Sequence, residues 1–391
     1  RGITVFRANA AFHADETAPA TSDHIVHLVP SPDQSDILTY HKADVPEPSG
    51  PTMDLTATNI VIATGAKPRP LPGNPFAGAL IDSTQALEVN EFPSSAVIIG
   101  AGAIALEFAS MWNAAGSKVT LLIRKDRVLS AWDRRAGTTL TRELKRHGVN
   151  IITRASVTHV DTGANLGATV HYTREGQDGE QSVWGEIALV AIGRDPITDP
   201  AWGVTIDDHG HVATDAYGRT DKPGVWAVGD VTAGHALAHR AFEQGIVIAE
   251  TIAGLNPKPV DEAAVPQIVF SFPEAASVGL TVEQAQARED LVEIKETNYP
   301  MLANARMLMS GTAGSLTIVS GCDAANPDTP RVLGVHMVSP MASDIIAEAE
   351  QLVGNHVPLA DAARLVHPHP TFSETLGEAL LKADGRPLHT R

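Results

Sequence analysis

The sequence predicts an α/β chain of two or three domains that closes in an α+β region. Three observations carry this. Residues 96–123 read strand, glycine turn, helix, strand. A second apolar strand runs into Gly229-Asp230 and a helical stretch follows it. Residues 264–391 then mix strands with helices. A length of 391 residues exceeds one ordinary core, and a 43% hydrophobic content can fill large ones, which excludes general disorder.

Residues 1–58 hold short apolar pieces, among them Ile3 to Phe6 and Ile25 to Val29. Polar and Pro-rich stretches separate them, so this part reads as a β-meander with a loose, exposed loop at Val45 to Pro51. Asn59 to Gly65 is a buried strand entering a glycine turn, and a Pro-rich connector follows at Lys67 to Gly73. Ala96 to Ile99 is a continuous apolar strand, Gly100-Ala101-Gly102 a tight turn, and Ala103 to Ala115 a helix stopped by Gly116. Val119 to Ile123 is the second strand of this unit. Further strands are expected over 150–195, ending in Leu189 to Arg194. Gly224 to Asp230 leads into a helix from about His235 to Ala253, and Asn256 to Val260 reads as a linker. Beyond it, strands are expected at 266–272, 316–320 and 332–338, and helices at 281–287, 343–353 and 373–383.

The formal charge of −17 argues against nucleic acid and anionic membrane surfaces as partners. No stretch has the roughly 18 apolar residues of a membrane span, and the N-terminus shows no signal-peptide pattern. The default compartment is therefore the cytoplasm. One cysteine, Cys322, excludes a disulfide framework and a multi-cysteine metal site. It sits in what reads as a turn, as an incidental thiol. His235 and His239 lie four apart on the expected helix but lack a third ligand, so no metal site is expected.

Gly100-Ala101-Gly102-Ala103-Ile104-Ala105 fits the G-x-G-x-x-A dinucleotide fingerprint. Gly100 permits the turn, Gly102 lets a pyrophosphate approach the backbone, and Ala105 lets helix and strand pack closely. The helix N-terminus then offers free N–H groups to the anion. An NAD site normally carries a carboxylate about 20 residues beyond the glycines. Here Ile123 takes that position, with Arg124 and Lys125 behind it. A guanidinium suits a 2′-phosphate, which favours NADP(H). The alternative is a solvated strand end with Asp126 turned inward to serve NAD. Asp230 could accept a hydrogen bond from a cofactor hydroxyl or cap a helix. In His367-Pro368-His369-Pro370-Thr371-Phe372-Ser373-Glu374, Glu374 opens a helix and could orient an imidazole as a base. A plain surface histidine loop is the competing reading.

Taken together, these segments resemble the flavin-dependent pyridine nucleotide–disulfide oxidoreductases, across essentially the whole chain. The resemblance rests on Ile62 to Gly65, the fingerprint, Ala191 to Pro196, Val228 to Asp230 and His369 to Thr371. The dihydrolipoyl dehydrogenase branch is the most similar, through Asp82 to Leu87, Leu237 to Ala241, His367 to Thr371 and Asp384 to His389. Ile123 to Leu129 looks more like the NADPH-using glutathione reductase branch, although Ser130 stands where that branch has a second Arg.

The resemblance implies two doubly wound dinucleotide-binding domains, an incomplete one for FAD and an inserted one for NAD(P), plus a C-terminal α+β dimerisation domain. The implied boundaries are 1–90 and 216–262 for FAD, 91–215 for NAD(P) and 263–391 for the homodimer interface. Thr64, Gly65, Gly229 and Asp230 would touch FAD. Gly100, Gly102, Ala105, Arg124, Lys125, Gly193 and Arg194 would serve NAD(P), with Glu107 near the nicotinamide. His369 would be the base toward a dithiol or lipoyl substrate, oriented by Glu374. The family's own N-terminal G-x-G-x-x-G and C-x-x-x-x-C pair do not occur here, so the chain is expected to be a fragment or a truncated copy, inactive alone in disulfide exchange. Two further readings stay open: an NADPH-dependent disulfide or metal-ion reductase, and a non-catalytic nucleotide-binding remnant.

Overall fold

The computed structural model describes residues 2–13, 23–40, 46–163 and 167–390. They form two compact units, one of residues 1–67 and 195–262, the other of 68–194 and 263–391.

In the first unit, His24–Val29 alternates between buried and exposed side chains. It lies between Asn9–Phe12 and Met53–Ala57 in an antiparallel sheet. Leu38–Tyr40 pairs with Val5–Arg7 and with Pro46–Pro48. The expected loose loop is therefore in part a strand. Two prolines are tolerated because Pro46–Pro48 lies at the sheet edge, where a missing N–H costs no ladder bond. Val45 lies outside the described residues. Ile60–Ile62 runs parallel to Val225–Ala227. Ile62, Val225 and Ala227 close a core with Phe12, Trp202, Val204, Val212 and Val231. That core groups residues 195–215 with this unit. The following helix is Ala238–Ile252, so His235 falls before it and the expected His235/His239 helical spacing does not form.

The second unit contains a five-stranded parallel sheet in the order Asn150–Ile152, Lys118–Leu122, Ser95–Ile99, Ile187–Val190, Leu80–Ile81. Ser95–Ile99 is central, and Ala96 to Ile99 are buried on both faces, as a parallel interior strand requires. Leu80–Ile81 supplies the edge and groups residues 68–90 with this sheet. The helix Ala103–Ala114 buries Ala105, Leu106, Phe108, Ala109 and Trp112 on one face. A second helix, Arg134–Arg146, is capped by Asp133, whose Oδ1 accepts the Ala136 N–H at 2.8 Å. A three-stranded antiparallel sheet, Ala155–Asp161, Ala168–Arg174 and Gln181–Gly185, follows.

The same unit ends in a five-stranded antiparallel sheet ordered Gln267–Val269, Glu274–Gly279, Asn326–Ser339, Ser315–Asp323, Leu291–Pro300. Helices Ala342–Gly354 and Glu374–Ala383 bury apolar faces in its core. Cys322 is a correction to the expected turn. It lies in strand Ser315–Asp323, opposite Val292, and is buried, which pushes its thiol pKa up.

Candidate functional site

Parallel strands place their C-terminal ends on one side, and the fingerprint sits there. Gly100 follows Ile99 with φ +141°. A Cβ at Gly100 would stand 2.2 Å from the Ala191 carbonyl oxygen and 3.4 Å from the Ala105 Cβ. Only glycine fits between these two neighbours. Gly102 differs: a Cβ there meets nothing within 4 Å, and no side chain caps the helix it opens. The space over that N-terminus is thus clear, and its amides are left for an anion. Ala105 is fully buried against the turn, as the fingerprint requires.

The neighbouring strand ends complete the rim. Ile123, after Lys118–Leu122, is buried in the core and offers the rim nothing polar. Arg124 and Lys125 are exposed, and no acidic side chain among the described residues pairs with either. Asp126 is exposed and held by Arg127 at 3.2 Å, not turned inward. Beyond Ile187–Val190, the Ala191 N–H bonds the Ile99 carbonyl at 2.8 Å and the Gly193 carbonyl accepts the Arg69 N–H at 3.0 Å. Arg194 follows, half-buried. Glu107, one turn into the helix, accepts the Phe270 N–H through Oε1 at 3.0 Å. That bond docks the segment before the C-terminal sheet onto the helix. It fixes Glu107 but engages only one of its oxygens.

In the first unit, Thr64 and Gly65 follow Ile60–Ile62, and Gly229 and Asp230 follow Val225–Ala227, so the four meet at the C-terminal ends of one parallel pair. The Thr64 hydroxyl donates to the Ile197 carbonyl at 2.7 Å, and Gly229 N–H donates to Gln244 at 3.0 Å. Asp230 is the middle residue of a single helical turn, Gly229–Val231, half-buried, and its carboxylate has no partner among the described residues. Arg240 was not singled out from the sequence. It is buried, binds Glu262 at 2.7 Å and reaches the Ala233 carbonyl at 2.6 Å, fixing the loop after Asp230. Sequence shows an arginine in a helix but not that it points inward.

His369 and Glu374 come together as expected. Glu374 Oε1 lies 2.8 Å from His369 Nδ1, and Oε2 accepts the Thr371 N–H at 2.8 Å. Partial burial works to raise the Glu374 carboxyl, but the Thr371 amide and the imidazole outweigh it and hold its pKa below the ordinary value. His369 is 73% exposed, so its Nε2 edge is open to solvent. The missed partner is Glu348, on helix Ala342–Gly354, which binds His367 Nε2 at 2.9 Å. That bond raises the His367 pKa against the opposing effect of burial. A Cβ on Gly377 would press within 2.4 Å of the His367 ring, so helix Glu374–Ala383 seats the ring closely. Nothing in the sequence links two residues 19 apart on separate elements.

The family described as pyridine nucleotide-disulphide oxidoreductase matches residues 25–245, and its dimerisation domain matches 265–380. The chain belongs to this family. The dihydrolipoyl dehydrogenase of Cupriavidus necator is 38% identical, with 86% of this chain and 70% of that protein covered. The Bacillus subtilis enzyme of the same name is 37% identical over the same shares. Among solved structures, LpdA from Mycobacterium tuberculosis superposes with a TM-score of 0.79 at 25% identity, covering 96% of this chain and 76% of that one. The HOCl-induced flavoprotein disulfide reductase RclA from Escherichia coli gives 0.73 at 25% identity, covering 88% and 76%. The chain is thus a dihydrolipoyl dehydrogenase-like member of a family of oxidoreductases that use FAD and NAD(P). The open cradle at Gly102 and the free Asp230 carboxylate fit these two groups. No helix among the described residues is long and apolar enough to cross a membrane.

Proposed function

We propose that these residues serve an oxidoreductase that passes electrons between a dithiol or disulfide substrate, such as a lipoyl group, and NAD(P) by way of FAD. The observation that carries this reading is the glycine turn: Gly100 is closed against Ala191 while Gly102 lies open at an uncapped helix start. Gly100, Gly102 and Ala105 shape the pyrophosphate cradle, with Gly193 and Arg194 on the next strand end and Glu107 toward the nicotinamide. Thr64, Gly65, Gly229 and Asp230 hold FAD. Bound FAD would supply the two-electron relay between thiol and nicotinamide.

His369 removes the substrate thiol proton at Nε2, and Glu374 keeps Nδ1 as the N–H end of the ring. The C-terminal region pairs two copies into a homodimer, and His369 acts across that interface. The reading assigns 1–90 and 216–262 to FAD, 91–215 to NAD(P) and 263–391 to dimerisation. Cys322 is the one cysteine of the 391 residues and is buried, so these residues supply the base and nucleotide site of the reaction, not its disulfide. That no acidic side chain among the described residues pairs with Arg124, Asp126 being held by Arg127, supports NADP(H) as the nucleotide.

Calorimetric titration of the chain with NADPH and NADH tests this. Binding of at least one nucleotide, lost on Gly102→Asp with the fold retained, is expected. An equal affinity of parent and variant would remove the cradle.

A further inference from the structure

We propose that His159, His171 and Asp161 form a binding site for a divalent late first-row transition metal such as Zn²⁺, with Glu180 as its outer carboxylate. None of these residues belongs to the nucleotide cradle or the His369 pair.

The site is built by strand register. His159 on Ala155–Asp161 lies directly opposite His171 on Ala168–Arg174, just after a register shift between Val157 and His159. Such a shift re-aims the side chain that follows it. The two imidazoles stack with centroids 4.0 Å apart and planes 10° from parallel. Asp161, two residues beyond His159, shares their face. Its Oδ2 lies 3.1 Å from His171 Nε2 and 3.8 Å from His159 Nε2. One donor atom from each of the three residues lies within 4.8 Å of the other two. An ion about 2.1 Å from each donor in tetrahedral geometry would set donors roughly 3.4 Å apart, close to both distances to Asp161; the two parallel rings would each swing about χ2 to aim Nε2 at it. Imidazole with carboxylate is a donor set that suits zinc and its neighbours more than calcium or magnesium.

The second observation concerns the opposite edges of the rings. Glu180 lies 3.5 Å from His171 Nδ1 and 3.8 Å from His159 Nδ1. It is anchored by the Thr158 hydroxyl, which donates to Oε1 at 2.6 Å. Without an ion, the Asp161 carboxylate accepts from His171 Nε2 at 3.1 Å; an ion would take the place of that proton, and Glu180 stands where it can accept the proton moved to Nδ1. A carboxylate behind the ring is the outer-shell partner that metal-binding histidines use, and Glu180 stands on that side of both rings. All three ligands reach solvent, so an ion can enter without opening the fold. Three protein donors leave a fourth position for water.

The test is calorimetric titration of Zn²⁺ alone into the chain, prepared without a histidine tag, at neutral pH. One site per chain is expected. His159→Ala and His171→Ala should each weaken it about tenfold or more, and Glu180→Gln should weaken it several-fold, as loss of an outer-shell partner does. A His159→Ala/His171→Ala double variant that binds Zn²⁺ like the parent would overturn the assignment. A second measurement uses the unaltered chain. Diethylpyrocarbonate labelling read by peptide mass spectrometry should show Zn²⁺ protecting His159 and His171 but not the exposed His27 and His389. Equal labelling of His159 and His171 with and without Zn²⁺ would also overturn it.

Discussion

Glu374 holds His369 through the ring nitrogen that faces the protein, 2.8 Å from Oε1 to Nδ1, and so leaves the other nitrogen to solvent. The same carboxylate takes the Thr371 N–H, which ties the ring's direction to the turn that carries it. A surface histidine loop would need neither bond. The arrangement supports the proposed reading of a base and its orienting group.

Glu374→Gln should remove a pH-dependent part of the stability. A carboxyl held below its ordinary value of 4.5 stabilises the fold above that pH, and the contribution is lost as pH falls through the lowered folded value. Urea unfolding at neutral pH should show the variant weaker by about 1 kcal/mol. The gap should close as the pH drops below 4.5. A gap that is constant with pH would mean the carboxylate charge contributes nothing.

His367 should behave in the opposite sense. Its pKa is raised by Glu348, so the pair stabilises fully below the ordinary value of 6.5 and loses its effect as pH rises through the raised folded value. Glu348→Gln is therefore expected to cost about 1 kcal/mol in mildly acidic buffer and progressively less in alkaline buffer. Chemical denaturation of parent and variant across that range checks it. A deficit that grows with pH would contradict the pairing.

Much of the candidate nucleotide site is readable from local signals, because each is strong and short-ranged. The apolar run Ala96 to Ile99, the two glycines and the stop at Gly116 lie within one βαβ unit, and the observed strand and helix ends agree within one residue. The His369–Glu374 pair was readable because five residues of loop bring its members together. What could not be read depended on register or on distant packing. Glu348 reaches His367 only after two helices pack on one sheet. The polar tail Gly321-Cys322-Asp323 looks like a turn, yet Arg331 on the neighbouring strand pairs with Asp323 at 2.8 Å and carries the strand through. His159 and His171 meet because of a one-residue shift in register that no sequence pattern announces. Leu80–Ile81, two residues long, is too short to show as a strand.

The two glycines of the turn should separate folding from binding. Gly100→Ala places a Cβ into the Ala191 backbone at an unfavourable φ, and a cost of about 3 kcal/mol or more is expected in thermal or urea unfolding. Gly102→Ala meets no protein atom and should leave stability within about 0.5 kcal/mol. Its methyl group would occupy the anion's approach, so nucleotide affinity should fall about tenfold. If Gly102→Ala were as destabilising as Gly100→Ala, the cradle would be a packing feature and not a binding one.

The proposed preference for NADP(H) rests on Arg124. The strand before it ends in Leu122, and Ile123 turns into the core, so the first polar groups at that edge are cationic. Asp126 is engaged by Arg127 and does not replace the missing acid. A guanidinium without an acidic partner can take a 2′-phosphate through paired N–H bonds, worth about 1.5–3 kcal/mol for a charged acceptor. Arg124→Ala should thus lower NADPH affinity about tenfold or more while NADH affinity stays within about twofold. Lys125→Ala should act in the same direction but less, since an ammonium offers a point charge and not a fork. Equal losses for the two nucleotides on Arg124→Ala would show that the edge attracts the pyrophosphate generally, and the preference for NADP(H) would fall.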